Sequence, residues 1–274
     1  IDKIALDGLK LRLKQDLVQE IANKVEEKVD SLNQQKPMQL ALGEIDLKNF
    51  DVDYGDDNTQ MYANLKFSNL TTSIRKIDLQ QNDFAIGDID LEGLKLKFNQ
   101  KLVKDIQDAS NSSSNKSTST PLKIALNKIN LKNIAIDYGD DTSKTYAKLN
   151  LNELRTKINS IDLANNNFDI DDVLLKDATI DAKLFLKSNS NSSTPTSTPL
   201  QIALGKGIIE NVKINYNNTA EKTSQGLDYN HLNIEKLALD LRDFKMVNGE
   251  FAGKVNNAEL KEKKGFHVQK LKTN

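Results

Sequence analysis

The chain has 274 residues, room for one large domain or two ordinary ones, and its 38% hydrophobic content is modest for a closed core of that size. Lys and Arg number 38 against 39 Asp and Glu, so the basic excess that binding a nucleic-acid backbone requires is missing and no nucleic-acid partner is expected. Cysteine is absent, which excludes disulfides, thiolate nucleophiles and thiolate metal sites; Trp is absent too, and with six Tyr and nine Phe the apolar surface is almost all Leu, Ile and Val.

No segment reaches the ~18 consecutive apolar residues of a membrane span, and the first residues lack the basic and then apolar regions of a secretion signal. In chain order, a strand is expected over 1–13. It is followed by a helix near 14–33, where Leu17, Ile21, Val25 and Val29 stand four apart and form one apolar stripe. Strands then follow over roughly 38–54, 62–79, 83–98, 121–138, 146–163, 167–187, 199–216, 226–247 and 250–271, ten in all. Each shows alternation of apolar and polar residues.

The alternation carries a repeat. Residues 37–57 and 121–141 align at an offset of 84 with 12 identities in 21 positions, among them Ala41/Ala125, Leu47/Leu131, Asn49/Asn133 and Tyr54-Gly55-Asp56-Asp57 against Tyr138-Gly139-Asp140-Asp141. A third copy begins at Pro199, and Ile4, Leu6, Gly8, Leu9 and Leu11 match Ile89, Leu91, Gly93, Leu94 and Leu96. The units expected are 1–36 (the end of a truncated repeat plus the helix), 37–120, 121–198 and 199–274 (a diverged, truncated repeat), within one continuous β domain.

Within a strand the alternation slips twice. Leu122, Ile124 and Leu126 are followed by Ile129 and Leu131, then by Ile134, Ile136 and Tyr138. A slip of one residue would turn every later side chain to the other face of a flat strand unless a bulge or bend absorbs it. The expectation is therefore an all-β, elongated, folded antiparallel sheet, trough-like in cross-section, with one aliphatic face inside. Short connections suit antiparallel neighbours, and Asn248-Gly249 is a strong hairpin dipeptide. The longer links 14–36, 99–120 and 188–198 join the units, the last two ending in Ser, Asn and Thr tracts. With three antiparallel strands per unit, 14–36 and 188–198 are expected to leave one rim and 99–120 the other.

Catalytic chemistry has little to stand on. His231 and His267 lie far from any nucleophile or ligand spacing, and Gly205-Lys206-Gly207 lacks the helix and further glycines of a phosphate loop. Asp51, Asp53, Asp56 and Asp57, like Asp137, Asp140 and Asp141, miss the spacing of a calcium loop and read as turn chemistry. No enzyme activity, cofactor or metal is expected. The aliphatic face is either a core or an open groove for acyl chains, and the chain offers one short helix to cover ten strands.

Pro-Leu-Lys-Ile-Ala-Leu at 121–126, Ile-Asp-Tyr-Gly-Asp-Asp at 136–141 and Asn-Asn-Asn-Phe-Asp-Ile at 165–170 resemble the periplasmic β-taco repeats of the TamB (translocation and assembly module) and AsmA-like family. The resemblance covers essentially the whole chain. It implies a mid-bridge segment of a periplasmic, inner-membrane-anchored protein that meets a TamA-like outer-membrane barrel through a C-terminal region. It also implies a role in outer-membrane biogenesis: conducting phospholipids, whose acyl chains would be the ligand, or assisting nascent outer-membrane proteins. No catalytic residue is carried over. The lining it implies is Leu40, Leu42, Ile45, Leu47, Leu65, Phe67, Ile124, Leu126, Ile129, Leu131, Leu149, Leu151, Ile158, Ile161, Leu184 and Ile202. Two other readings stand beside the lipid bridge: a scaffold offering sheet edges to barrel strands by β-augmentation, and a closed structural solenoid such as an adhesin.

Overall fold

The computed structural model describes residues 2–14, 43–57, 59–78, 83–101, 123–186 and 199–273. These form β1 (Lys3–Asp7), β2 (Lys10–Lys14), β3 (Glu44–Asp56), β4 (Met61–Asp78), β5 (Asp83–Glu92), β6 (Lys95–Gln100), β7 (Lys123–Ala125), β8 (Lys128–Asp140), β9 (Thr145–Asp162), β10 (Asn167–Leu184), β11 (Gln201–Asn218), β12 (His231–Val247), β13 (Glu250–Glu262) and β14 (His267–Leu271). The helix expected near 14–33 lies outside the described residues apart from Lys14, which ends β2.

All fourteen strands belong to one sheet, in the order β1-β3-β4-β5-β8-β9-β10-β11-β12-β13-β14. Three of its positions hold two strands in line: β1 and β2 both pair with β3, β5 and β6 both lie between β4 and β8, and β7 continues into β8. The sheet therefore has eleven positions, about 48 Å across at ~4.8 Å per strand. The all-β, elongated fold matches the reading of the alternation.

Three expectations change. The unit junctions are parallel, so the sheet is mixed: β1 and β2 run parallel to β3, β5 and β6 parallel to β7 and β8, and β10 parallel to β11. Consequently the strands before all three links end at the same rim, the one holding Asp56 and Asp140, because Lys14 pairs Gly55, Gln100 pairs Asp140 and Lys183 pairs Tyr146. The chain re-enters at the opposite rim each time, so every unit points the same way. Finally, the strand expected over 250–271 is a hairpin of β13 and β14, turning at Lys263-Lys264-Gly265 with Gly265 at φ 112°.

The short connections are hairpins. Asn248 and Gly249 between β12 and β13 both have positive φ, 52° and 81°, as a two-residue turn matching the strand twist requires. In the turn after β8, Asp140 accepts hydrogen bonds from the backbone N–H of Thr142 and Ser143 and from the Ser143 hydroxyl, while Asp141 accepts one from the Tyr146 hydroxyl at 2.7 Å. Asp56, Thr59, Asp57 and Tyr62 repeat the device after β3. Each tyrosine ring lies over a glycine, Gly55 or Gly139, where a β-carbon would already touch it. The repeated Gly-Asp-Asp is thus a turn fastening, and the carboxylates of Asp57 and Asp141 hold the phenols of Tyr62 and Tyr146 above their ordinary pKa by accepting those hydrogen bonds.

The two slips in the alternation are two creases that run across the strands. At the second, Asn49, Asn133, Asp177 and Asn211, with Gly8 and Gly93, all have φ between 50° and 76°. The register on either side sets them on one transverse line, together with Ser68 and Asn152 of the oppositely directed strands. A left-handed residue re-aims the chain after one extra step, and Asn, Asp and Gly tolerate that conformation best. Side chains tie the line across strands: Asn49 donates to Asp7 at 2.8 Å and Asn211 to Asp177 at 2.6 Å. The first crease passes through Gly43, Asn127, Asp171, Gly205, Asp243 and Gly253. Ile158 donates to the Asn127 carbonyl there, and register shifts interrupt β4, β10 and β12.

Candidate functional site

Paired residues in a sheet point to the same face, so the register shows what each face presents. One row crosses all eleven positions without a polar residue: Leu6, Leu47, Leu70, Leu91, Leu131, Leu154, Leu175, Ile209, Leu239, Ala258 and Leu271. This leucine ladder lies between the two creases. Beyond the second crease runs an inner row through Phe50, Phe67, Ile134, Leu151, Ala178, Val212, Leu237, Leu260 and Val268, with Phe50 and Phe67 stacked at 4.9 Å between ring centroids. A third row passes from Leu11 and Val52 through Leu65, Leu96, Ile136, Leu149, Ile180, Ile214 and Ile234 to Glu262.

The creases keep these rows on one side. Residues three apart across the second crease, such as Leu131 with Ile134, Leu91 with Leu94 and Ile209 with Val212, pack in a single cluster. Across the first crease, a β-carbon on Gly207 would meet Leu204 Cδ2 at 2.8 Å, so this i, i+3 pair shares a face too. Each slip therefore compensates for a bend instead of turning the aliphatic set outward.

Burial follows the bend. Among the described residues the buried hydrophobics are Phe67, Ile134, Leu151, Ala178, Val212 and Ala258, and the first five stand in the inner row, immediately past the second crease. Where a strand folds toward its own side chains, the two arms converge on the residue at the corner and shield it from water. Away from the corner the aliphatic side chains stay partly exposed: Leu47, Leu65, Ile129, Leu131 and Leu149 are half-buried. No second sheet accompanies this one among the described residues. Among the described residues, only the sheet's own curvature shields this face.

Of the residues expected to line a groove, Leu40 and Leu42 lie outside the described residues. Leu47 and Leu131 are rungs of the leucine ladder, Phe67 and Leu151 belong to the inner row, and Leu65 and Leu149 to the third. Ile45 and Ile129 stand in the row beside the ladder, opposite Thr72 and Thr156. Ile158 pairs with Ile170 at the first crease, Leu126 bridges β7 and β8 there, and Ile124, Ile161 and Ile202 stand opposite Phe84, Phe168 and Phe168 nearer the rim at which the chain re-enters the sheet. Leu184 ends β10, opposite Asn218. The expected set misses the corner residues Ile134, Ala178 and Val212. Their signal is position: each directly follows an Asn or Asp at the second slip.

The opposite face is polar and fastened in pairs. Asn130 donates to Asp90 at 2.6 Å and Asn215 to Asp181 at 2.8 Å, while Lys157 meets Asp171 at 2.5 Å and Lys236 meets Glu259 at 2.7 Å. Hydrogen bonding to Asp171 raises the Lys157 pKa. Such exposed pairs add little stability and chiefly specify register. The acidic stretch 51–57 is taken up in pairings: Asp51 meets Lys66 and shares Arg12 with Asp53, Asp53 also meets Asn64, and Asp56 and Asp57 serve the turn. Gly205-Lys206-Gly207 lies inside β11, in strand conformation.

At the far end of the third row stands a polar knot. Asp228, 4% exposed, accepts from the backbone N–H of Ser224 and Asn230, approaches His231 Nδ1 at 3.0 Å and meets Lys264 Nζ at 3.2 Å. The Ser224 N–H first, then the Lys264 ammonium, hold its carboxyl well below the usual carboxylate range. The neighbouring Glu262, 5% exposed, accepts the Lys264 N–H at 2.6 Å. This knot secures the turn between β13 and β14 to the loop before β12.

No protein-family model matches the chain, and neither curated proteins nor solved structures give a significant match. The likeness to the TamB and AsmA-like repeats therefore rests on the repeat motifs themselves. Among the described residues no helix is long and apolar enough to cross a membrane, which says nothing of strands.

Proposed function

We propose that this chain is a segment of a bridge that conducts phospholipids between membranes, with acyl chains lying across the strands along the aliphatic face and headgroups at its open side. The observation that supports this reading most is the leucine ladder, continuous over eleven strand positions and only partly shielded from water. A flexible hydrocarbon needs length and apolar surface, not directed polar groups. One leaflet's share of a ~30 Å hydrocarbon core is about 15 Å, so a face about 48 Å long holds roughly three chains end to end.

The partial shielding suits transfer. Full burial is worth about 0.8 kcal/mol per methylene, which a bilayer supplies on all sides of a chain and a one-sided face supplies only in part. A lipid on this face is then protected in transit yet released readily into the next membrane. In this reading the chain works in the periplasm as part of an inner-membrane-anchored protein directed toward a TamA-like barrel, and the work involves no bond-making step and no cofactor.

A photo-reactive amino acid at Ile124 or Leu149, with one at Lys148 on the polar face as control, tests the proposal in cells. Mass spectrometry is expected to recover phospholipid attached at the two apolar positions and not at the control. Recovery of outer-membrane β-barrel proteins instead would favour the scaffold, and intramolecular links alone would favour a closed solenoid.

A further inference from the structure

The third unit departs from the first two at one corner of the turn rim. β3 and β8 are joined to the next strand by four residues, 57–60 and 141–144, whereas β11 is joined to β12 by twelve, 219–230. Surface loops carry function more often than the strands they connect. The turn between β13 and β14 belongs to the same corner, because Lys264 Nζ reaches Asp228 of the loop at 3.2 Å. The whole corner lies within 199–273, described without a break.

This loop is fixed in place and yet displays apolar side chains. Asp228 is its buried post, 4% exposed and held by the backbone N–H of Ser224 and Asn230, by His231 and by Lys264. Asn218 secures the start of the loop by accepting from the Ala220 N–H and bonding both backbone groups of Leu186. On either side of the post, Leu227 is 38% and Tyr229 73% exposed, and Phe266, two residues past Lys264, is 47% exposed. A loop free to rearrange would fold such side chains inward, since burying them is favourable. The knot around Asp228 holds them out.

The charges of the corner are sorted as well. Asp228 and Glu262 are buried and Glu221 is half-buried, whereas Lys222, Lys263 and Lys264 are exposed, so the outer surface is cationic around the apolar tips. At about 200 Å² for a whole side chain, Leu227, Tyr229 and Phe266 together expose roughly 300 Å², against the ~800 Å² per partner of a stable protein interface. That area is too small for a protein partner or a second copy. It suits shallow insertion into a fluid membrane interface, where separate apolar tips need no complementary pocket and neighbouring lysines are attracted to anionic headgroups. A tyrosine fits that depth, with its ring in apolar surroundings and its hydroxyl in water.

We infer that this corner docks on a membrane surface containing anionic lipid: Leu227, Tyr229 and Phe266 enter the boundary between headgroups and acyl chains, and Lys222 and Lys263 lie against the phosphates. The inference does not rest on lipid lying along the aliphatic face.

The chain contains no tryptophan, so Tyr229→Trp supplies a single reporter. On vesicles of phosphatidylethanolamine and phosphatidylglycerol its emission is expected to move to shorter wavelength and to be quenched by lipids brominated on the acyl chains. Tyr62→Trp, six strand positions and roughly 29 Å away along the same rim, is expected to show neither change. In the Tyr229→Trp background, Leu227→Ser with Phe266→Ser is expected to weaken vesicle binding at least ~10-fold, and Lys222→Gln with Lys263→Gln on the order of 10-fold, with circular dichroism showing each protein folded. Unchanged emission at position 229 on vesicles, an equal response from Tyr62→Trp, or undiminished binding by either folded double variant would overturn the inference. So would an emission shift that appears with rising protein concentration alone, which would assign the corner to a protein contact. Phospholipid recovered at Ile124 or Leu149 with no response at position 229 would overturn this inference and leave the conduit reading standing; a response at 229 without such recovery would do the reverse.

Discussion

Truncating two isoleucines of the same strand separates a corner from an open wall. Ile134 lies in the inner row, 3% exposed; Ile136, two residues on, lies in the third row and is half-buried. Replacing Ile by Ala removes three carbons, about 2.4 kcal/mol of transfer free energy at ~0.8 kcal/mol each when the site is fully buried. At Ile134 the converging arms of the bend cannot collapse fully, and the cavity raises the expected cost of Ile134→Ala to about 3–4 kcal/mol. At Ile136 water already reaches part of the side chain and fills the space vacated, so Ile136→Ala is expected to cost about 1 kcal/mol. Equilibrium urea unfolding followed by circular dichroism measures both, read as midpoint shifts at constant slope. Equal losses of about 3 kcal/mol would mean that the third row is covered as well as the inner one, and the argument for an uncovered face would fail.

Three further outcomes follow from the creases and the rim. Asn133→Val puts a β-branched residue at φ 54° and is expected to destabilise by about 2 kcal/mol, whereas Asn133→Gly is expected to be near neutral, both read from thermal melts. Gly205→Ala brings a β-carbon to 2.7 Å from the Asp171 carbonyl oxygen, part of the backbone, while Gly207→Ala meets the movable end of Leu204. The first should therefore lower the melting temperature markedly more than the second. The folded-state pKa of Asp228 lies below its ordinary 3.8, so its contribution is complete at neutral pH and is lost as pH falls below 3.8. Asp228→Asn should lower the melting temperature at pH 7 and flatten its decline between about pH 4 and 2.

Much of this architecture is legible in the sequence, and for a definite reason. Alternation with period two reports which side of a strand faces apolar surroundings. It runs clearly through Ile134, Ile136 and Tyr138 because each of them lies beside an apolar partner: Leu151, Leu149 and Ala147. The double slip carries further information. A slip that left the chain straight would expose Ile134 and Ile136, so a bend is required, and the residue at the bend is an Asn, Asp or Gly in the left-handed region at Asn49, Gly93, Asn133, Asp177 and Asn211. The groove residues that the resemblance implies are apolar positions of these same strands, and those described fall in neighbouring rows. Ala178, among the most buried side chains, escapes that pattern because its size gives no hydrophobic signal; the crease before it does.

Strand direction is not legible. Side-chain alternation reads the same for parallel and antiparallel neighbours, so the likeness of β5–β6 and β8 cannot reveal that they run together. Pairing at the unit junctions decides it, where Leu91 meets Leu131 and Phe98 stacks on Tyr138 at 5.1 Å. The split of 250–271 into β13 and β14 is likewise a tertiary outcome: Lys263-Lys264-Gly265 turns because the Lys264 ammonium reaches Asp228, distant in sequence, while its N–H reaches Glu262 at the end of the preceding strand. The aliphatic rows, their slips and the residues that bend them are local properties, specified by chain geometry. Which strand lies beside which, and therefore that eleven rungs join into one ladder, depends on pairing between segments far apart in sequence, which only the assembled sheet could settle.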